Sequence, residues 1–210
     1  MGRVAAIFDV DQTLIQGYTE RLFFRYLVQQ GLLPVPRALS YLGRLAWKPQ
    51  ERFRDKTYLQ GLPVAETIHL ARKCYQENIA PRLSAVGVAC VREHQAQGHE
   101  IVLLTGSLAF LTAPLKEELG ADWLIATEVV QKGHLFSGEV TGLHPRGENK
   151  FRLLLELSRA QNLDLSRSFA YGDHLQDFHL FRRIGYPVAV NPSWRLKRLA
   201  RRHQWPIRSF

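Results

Sequence analysis

Val4-Ala5-Ala6-Ile7-Phe8-Asp9-Val10-Asp11-Gln12-Thr13-Leu14 is the stretch from which the architecture follows. An apolar run of strand length ends in two carboxylates spaced i and i+2. Along a strand that spacing puts both on one side, because successive side chains alternate faces. Two acids crowded there repel each other unless a cation sits between them. An all-oxygen ligand set favours a hard divalent ion such as Mg²⁺. In open α/β sheets the ligand crevice lies beyond the carboxyl ends of the strands, which is where Asp9 and Asp11 fall. The plainer reading is a strand end followed by an Asx turn, with Asp11 capping what comes next.

After Leu14 the periodicity is helical as far as about residue 81. Leu22, Phe23, Tyr26 and Leu27 mark one apolar face. Gly31 and Pro34 punctuate, and Leu39, Leu42 and Leu45 mark a second helix ending near Pro49. A short piece from Arg52 to Leu59 stops at Gly61-Leu62-Pro63, and a fourth carries Val64, Ile68, Ala71 and Tyr75. Helices inserted after a single strand predict a small helical cap over 16–81, with 1–15 and 82–210 as the core.

From Pro81 onward helices and strands alternate. The pattern predicts helix over Ser84–Gln97, strand over Glu100–Thr105, helix over Ser107–Leu119 closed by Gly120, and strand over Trp123–Ala126. Glu128–Gln131 and Leu135–Val140 flank Lys132-Gly133-His134 as a β-hairpin. Helix over Asn149–Asn162, strand over Phe169–Tyr171, helix over Phe178–Arg183, strand over Pro187–Val190 and a helix after Ser193 complete the chain. Repeated strand-then-helix units predict an α/β fold, a doubly wound parallel sheet with a Rossmann-like core.

The 210 residues suffice for one sizeable α/β domain with an insert. Apolar residues at 46% and charged ones at 22% are ordinary for a globular protein. No apolar run approaches the roughly 18 residues of a membrane span. The N-terminus is too short in apolar residues for a signal peptide, and Ala6 stands where a myristoylation signal has Ser or Thr. Cys74 and Cys90 form no CxxC or Cys/His cluster and read as two buried thiols in a reducing cytoplasm. The net charge of +9 and pI near 9.9 steer anionic partners of any kind: phosphorylated metabolites, anionic lipids or nucleic acid.

Three later stretches add chemistry. Leu104-Thr105-Gly106-Ser107 joins a strand to a helix. A hydroxyl, a glycine that admits close approach and a helix N-terminus together suit a phosphate-sized anion, although Ser107 as an ordinary N-cap reads equally. Lys150 in Gly147-Glu148-Asn149-Lys150 opens a helix against its dipole, a mismatch that suits neutralising a bound phosphate. In Tyr171-Gly172-Asp173-His174-Leu175-Gln176-Asp177 the two acids at i and i+4 can face one site. Asp173 then completes a cation's ligand set and Asp177 holds a ligating water or Lys150.

In this order the four stretches resemble the haloacid dehalogenase-like hydrolase superfamily, and the likeness spans the chain. Asp9-x-Asp11-x-Thr13, a hydrophobic strand into Thr105, Lys150, and Gly172-Asp173-x-x-x-Asp177 stand where its motifs do. The helical insert and the hairpin before Lys150 are similar to the phosphoserine-phosphatase-like branch (subfamily IB). The resemblance implies a Mg²⁺-dependent phosphomonoester hydrolase. Asp9 would be the nucleophile, forming an aspartyl phosphate, and Asp11 the general acid and base. It implies metal at Asp9, Asp173 and the carbonyl of Asp11. The phosphoryl group would be bound by Thr105, Gly106 and Lys150, with Asp177 completing the catalytic set.

One departure concerns the substrate. Phosphoserine phosphatases carry a Glu nine residues after the nucleophile that reads the substrate ammonium; here that position is Tyr18, and the nearest acid is Glu20. Arg52, Arg54 and Lys56 only approximate the arginine that reads the substrate carboxylate. A phosphomonoester other than phosphoserine is therefore expected.

Basic residues concentrate in Arg37–Lys48, which includes Trp47, and in Trp194–Arg202, an amphipathic helix with Leu196, Leu199 and Ala200 inward. Both read as solvated helix faces, or as peripheral contacts with an anionic membrane suited to a lipid-phosphate substrate. A phosphotransferase, with an alcohol in place of water, fits the same motifs. A nucleic-acid-binding or anionic-surface protein on an inactive hydrolase scaffold fits the charge alone, without zinc-finger spacing or an aromatic RNA-binding motif. His134, His144, His174 and His179 lack metal-site spacing. No obligate protein partner is evident, and a small-molecule substrate in the cytoplasm is the expectation.

Overall fold

The computed structural model describes residues 2–47 and 55–210. Its centre is β1 (Ala5–Phe8), flanked by β2 (Glu100–Leu108) and β5 (Phe169–Gly172). Beyond β2 lie β3 (Trp123–Lys132) and β4 (Leu135–Thr141); beyond β5 lie β6 (Tyr186–Val190) and β7 (Ile207–Arg208). Every neighbouring pair is parallel except β3 and β4.

The alternation in β1 builds both layers. Ala6 and Phe8 enter one apolar core; Ala5 and Ile7 enter the other. α4 (Ala85–Ala96) and α5 (Ala109–Leu119) cover the first face through Val91, Leu111 and Leu115. α6 (Glu148–Gln161), α7 (Phe178–Phe181) and α8 (Trp194–Arg202) cover the second through Leu154, Leu180, Leu196 and Ala200. This is the doubly wound sheet expected from the sequence, and its strand order reverses at β1, where such sheets open a ligand crevice.

Segment 16–81 leaves and rejoins the core at adjacent points. Ile15 pairs with Leu83, the Gln16 N–H donates to the Arg82 carbonyl (2.9 Å), and the Ser84 N–H donates to that of Leu14 (2.8 Å). The segment holds α1 (Thr19–Gln29), α2 (Val35–Trp47), a 3₁₀ turn at Thr57–Leu59 and α3 (Val64–Cys74). The β3–β4 hairpin reaches out to it: Phe136 N–H donates to Leu62 O (3.0 Å), and Gly61 N–H to Phe136 O (2.8 Å). Gly138, at φ 80°, lies so close to this segment that a Cβ there would come within 2.9 Å of the Thr57 backbone.

The structure revises several boundaries. The helix expected from Ser107 starts at Ala109, because β2 continues through Leu108 with a register shift against β3 after Leu104. The strands expected at Trp123–Ala126 and Glu128–Gln131 are one, β3, parallel to β2 at its start and antiparallel to β4 at its end. The helix expected over Phe178–Arg183 is a 3₁₀ turn, Leu175–Asp177, followed by the short α7. β7 had no sequence signal. Pro49, Arg52, Arg54 and Lys48 lie outside the described residues, as does the side chain of Trp47. Cys74 and Cys90 are buried and unbridged, and no described helix is long and apolar enough to cross a membrane.

Candidate active site

β1 ends at Phe8, so Asp9 and Asp11 lie in the loop beyond the strand, where Gln12 takes a positive φ of 62°. The Asp9 N–H still pairs with Tyr171 O (2.9 Å), which holds the loop between β1 and β5. Both acids line the same cleft, although they lie in the loop and not on the strand, and each is gripped separately. Asp9 Oδ1 accepts the Val10 N–H (2.8 Å), and its Oδ2 lies 2.8 Å from Lys150 Nζ. Asp11 Oδ1 accepts the Thr19 N–H (2.9 Å) and Oδ2 the Ser107 hydroxyl (2.7 Å). The Thr19 hydroxyl in turn donates to that of Ser107 (2.8 Å), so a buried hydroxyl chain fixes Asp11.

Lys150 is 5% exposed, and its ammonium bridges Asp9 and Asp177, the latter at 2.7 Å. Burial works against this charge, but Asp177 and Asp9 outweigh it and hold the lysine pKa above its usual range. Asp177 reaches the site because Gly172 leaves room: a Cβ there would sit 2.6 Å from Asp177 Oδ2. The same oxygen accepts the His174 N–H (3.1 Å) in a reciprocal cap in which His174 Nδ1 accepts from Gln176 N–H (3.3 Å).

One carboxylate oxygen from each of Asp9, Asp173 and Asp177 lies within 4.8 Å of the others. Burial, Asp9 and Asp177 push Asp173 up to about 8. Burial, only partly countered by Lys150, pushes Asp9 up to about 7. With all three ionised, three carboxylates against one ammonium would leave two negative charges uncompensated, and Asp9 and Asp173 hold their protons accordingly. An all-oxygen donor set with that deficit fits a hard divalent cation. Asp11 is expected from the sequence at the metal through its carbonyl. Its carboxylate, both of whose oxygens are taken by Thr19 and Ser107, is not part of this cluster; that of Asp177 is. Burial also raises Asp11, against its hydrogen bonds from Thr19 and Ser107.

Thr105 and Gly106 lie in β2, not at a helix N-terminus. Ser107 is no N-cap, since its amide donates to Thr105 Oγ1 (3.1 Å) and its hydroxyl serves Asp11. Gly106 is packed under His144: a Cβ would meet the ring at 3.3 Å. Thr127 donates to Gly106 O (2.7 Å) and so accepts from His144 Nδ1 (2.7 Å).

All seven expected residues, Asp9, Asp11, Thr105, Gly106, Lys150, Asp173 and Asp177, line one cleft of about 770 Å³. Lys56, which the sequence suggests only as an approximate carboxylate reader, and His144, considered there only as a metal ligand, line it too. Others gave no sequence signal, among them Phe24, Tyr41, Tyr58 and Arg146. Lys56, 1% exposed, donates to both Glu20 oxygens (2.7 and 2.6 Å), and the Tyr58 hydroxyl donates to Oε1 (3.0 Å). Residues 36 apart in sequence leave no periodic trace of such a pair.

A family model described as haloacid dehalogenase-like hydrolase matches residues 6–182. Phosphoserine phosphatase SerB1 of Mycobacterium tuberculosis strain H37Rv is 30% identical across 98% of this chain and 70% of its own. Histidinol-phosphatase of Neisseria meningitidis serogroup C is 26% identical across 98% of both chains. The crystal structure of a protein of unknown function from Bordetella pertussis Tohama I shares the fold. It has a TM-score of 0.89 and 24% identity over 99% of this chain and 98% of that one.

Proposed function

Since the chain belongs to the haloacid dehalogenase-like hydrolase family and has phosphatases among its relatives, we propose that it hydrolyses a phosphomonoester through an aspartyl phosphate on Asp9. The observation that carries this is Lys150, buried between Asp9 and Asp177 with Asp173 alongside, on the wall of an open cleft. Segment 16–81 acts as the cap over that cleft.

Asp9 Oδ attacks phosphorus, and the bond to the leaving alcohol oxygen breaks as the new P–O bond forms. Asp11, whose buried carboxyl holds its proton above the usual carboxylate range, gives that proton to the leaving oxygen. The same carboxylate then takes a proton from the water that attacks the phosphoryl group, which frees phosphate and restores Asp9. The hydroxyl chain through Thr19 and Ser107 keeps Asp11 oriented in both steps. Lys150, the Thr105 hydroxyl and the Gly106 amide hold the phosphoryl oxygens, where charge has to be balanced. Mg²⁺ bound by Asp9, Asp173 and the Asp11 carbonyl would offset the remaining negative charge, with Asp177 steadying Lys150 or a metal-bound water. Tyr18 in place of an ammonium reader, and Glu20 already held by Lys56, argue for a substrate other than phosphoserine.

Phosphate release from p-nitrophenyl phosphate, with Mg²⁺ and with chelator, tests the reading. We expect turnover only with metal, and a loss of about 10³-fold or more in Asp9→Asn. Equal rates for wild type and Asp9→Asn would overturn it.

A further inference from the structure

Leu42 belongs to two surfaces at once. It lines the cleft, and it is 48% exposed on the outside of α2. With Val35 (57% exposed) and Leu39 (63%) it forms an i, i+4, i+7 stripe along one helix face. The inner face of α2 buries Ala38 and Tyr41, and Arg37 and Arg44 bond Thr57 O and Thr57 Oγ1 of the cap's own 3₁₀ turn, while Leu39 and Leu42 face out. Three exposed apolar side chains in register on one helix face, the last of them at the cleft, offer a track for an apolar chain.

The cleft wall beneath Leu42 continues the same character. Phe24, Tyr41 and Tyr58 pack ring against ring, with centroids 5.1 to 5.5 Å apart. The charges among them, Glu20 and Lys56, cancel in one ion pair. A cleft of about 770 Å³ admits a ligand of drug size, far more than a phosphoryl group on a short alcohol. Arg21, exposed and also lining the cleft, lies over the Tyr18 ring (4.3 Å) and supplies positive charge at the rim.

We propose that the substrates are phosphomonoesters of long-chain, amphiphilic alcohols. The phosphoryl group sits at Lys150, and the chain leaves over Leu42 along the Val35–Leu39 face of α2. This rests on the phosphatase reading above and specifies its substrate class.

The test is a series of butyl, octyl and dodecyl phosphates kept monomeric, with dodecyl phosphate also presented in phosphatidylcholine vesicles. Full burial of one methylene is worth about fourfold. Even a half-open track therefore raises kcat/KM at least about tenfold from butyl to dodecyl. In Leu39→Glu that ratio falls towards one, whereas Leu39→Phe keeps it. Turnover of monomers alone identifies a free amphiphile as the source, and turnover in vesicles a lipid in a bilayer. A flat series in the wild type, or a wild-type ratio in Leu39→Glu, overturns the proposal. No phosphate release at any chain length from enzyme that turns over p-nitrophenyl phosphate likewise overturns the proposal, whereas failure on p-nitrophenyl phosphate as well overturns the phosphatase reading instead. Calorimetric binding of the same series to Asp9→Asn then judges the track by itself: tighter dodecyl than butyl binding supports it, and equal affinities overturn it.

Discussion

Two buried lysines stand on the walls of the same cleft, and they are compensated differently. Lys56 in the cap meets one carboxylate, Glu20, and the pair is neutral. Lys150 in the core meets two, with a third beside them, and the cluster carries excess negative charge once its carboxyls ionise. A balanced pair in low dielectric is a finished piece of wall. An unbalanced cluster is costly to build, and its deficit has the charge and donor chemistry of a divalent cation. Under the proposed mechanism the contrast separates the part of the cleft that reacts from the part that shapes.

Replacing each lysine by methionine is the sharpest way to break that contrast. Lys150→Met leaves Asp9 and Asp177 buried against each other. We expect about 10²- to 10³-fold slower aryl phosphate turnover and a loss of roughly 3–5 kcal/mol in denaturant unfolding without metal. Saturating Mg²⁺ should restore part of the stability but not the rate. If the rate survives, the ammonium does not hold the phosphoryl group.

Lys56→Met removes a cation from Glu20, whose side chain is 25% exposed and so partly relieved by water. We expect a smaller cost, about 2–3 kcal/mol, with turnover falling less than about tenfold. Adding Glu20→Gln should recover most of that stability, because no buried charge is then unpaired. A rate loss equal to that of Lys150→Met would place Lys56 on the reacting atoms and dissolve the distinction.

The same contrast explains what the sequence made legible. Asp9, Lys150, Asp173 and Asp177 follow strand ends or open helical turns, positions that local pattern can locate. Gly172 could be read as motif, though only the packing gives its reason: the Asp177 carboxylate lies against its backbone. Ser107 misled, because a Ser before an apolar run signals an N-cap, while here both its amide and its hydroxyl are spent on tertiary partners. Glu20–Lys56 and His144–Thr127 are long-range pairings between segments with no shared period. They exist only in the folded arrangement, the first within segment 16–81 and the second between β3 and the loop after β4.

His94 carries the comparison to a third buried basic group, one with no carboxylate at all. Its ring contacts Tyr171 Oη and His99 Nδ1 (both 2.8 Å), and the charges near it, His99 and Arg208, are basic. Burial, reinforced by both, lowers its pKa from 6.5 to about 4, so where the lysines keep their charge this histidine gives it up. The unfolded chain therefore binds a proton below pH 6.5 that the folded one refuses. The stability from neutral His94 is complete above 6.5 and is lost progressively as pH falls towards 4. By about pH 5.5 the loss should reach about 1 kcal/mol, read as a shift in the denaturant midpoint, and His94→Phe should remove that part of the slope. If the variant kept the full slope, the proton would be going elsewhere, and burial without a carboxylate would not suffice to discharge a basic group in this core.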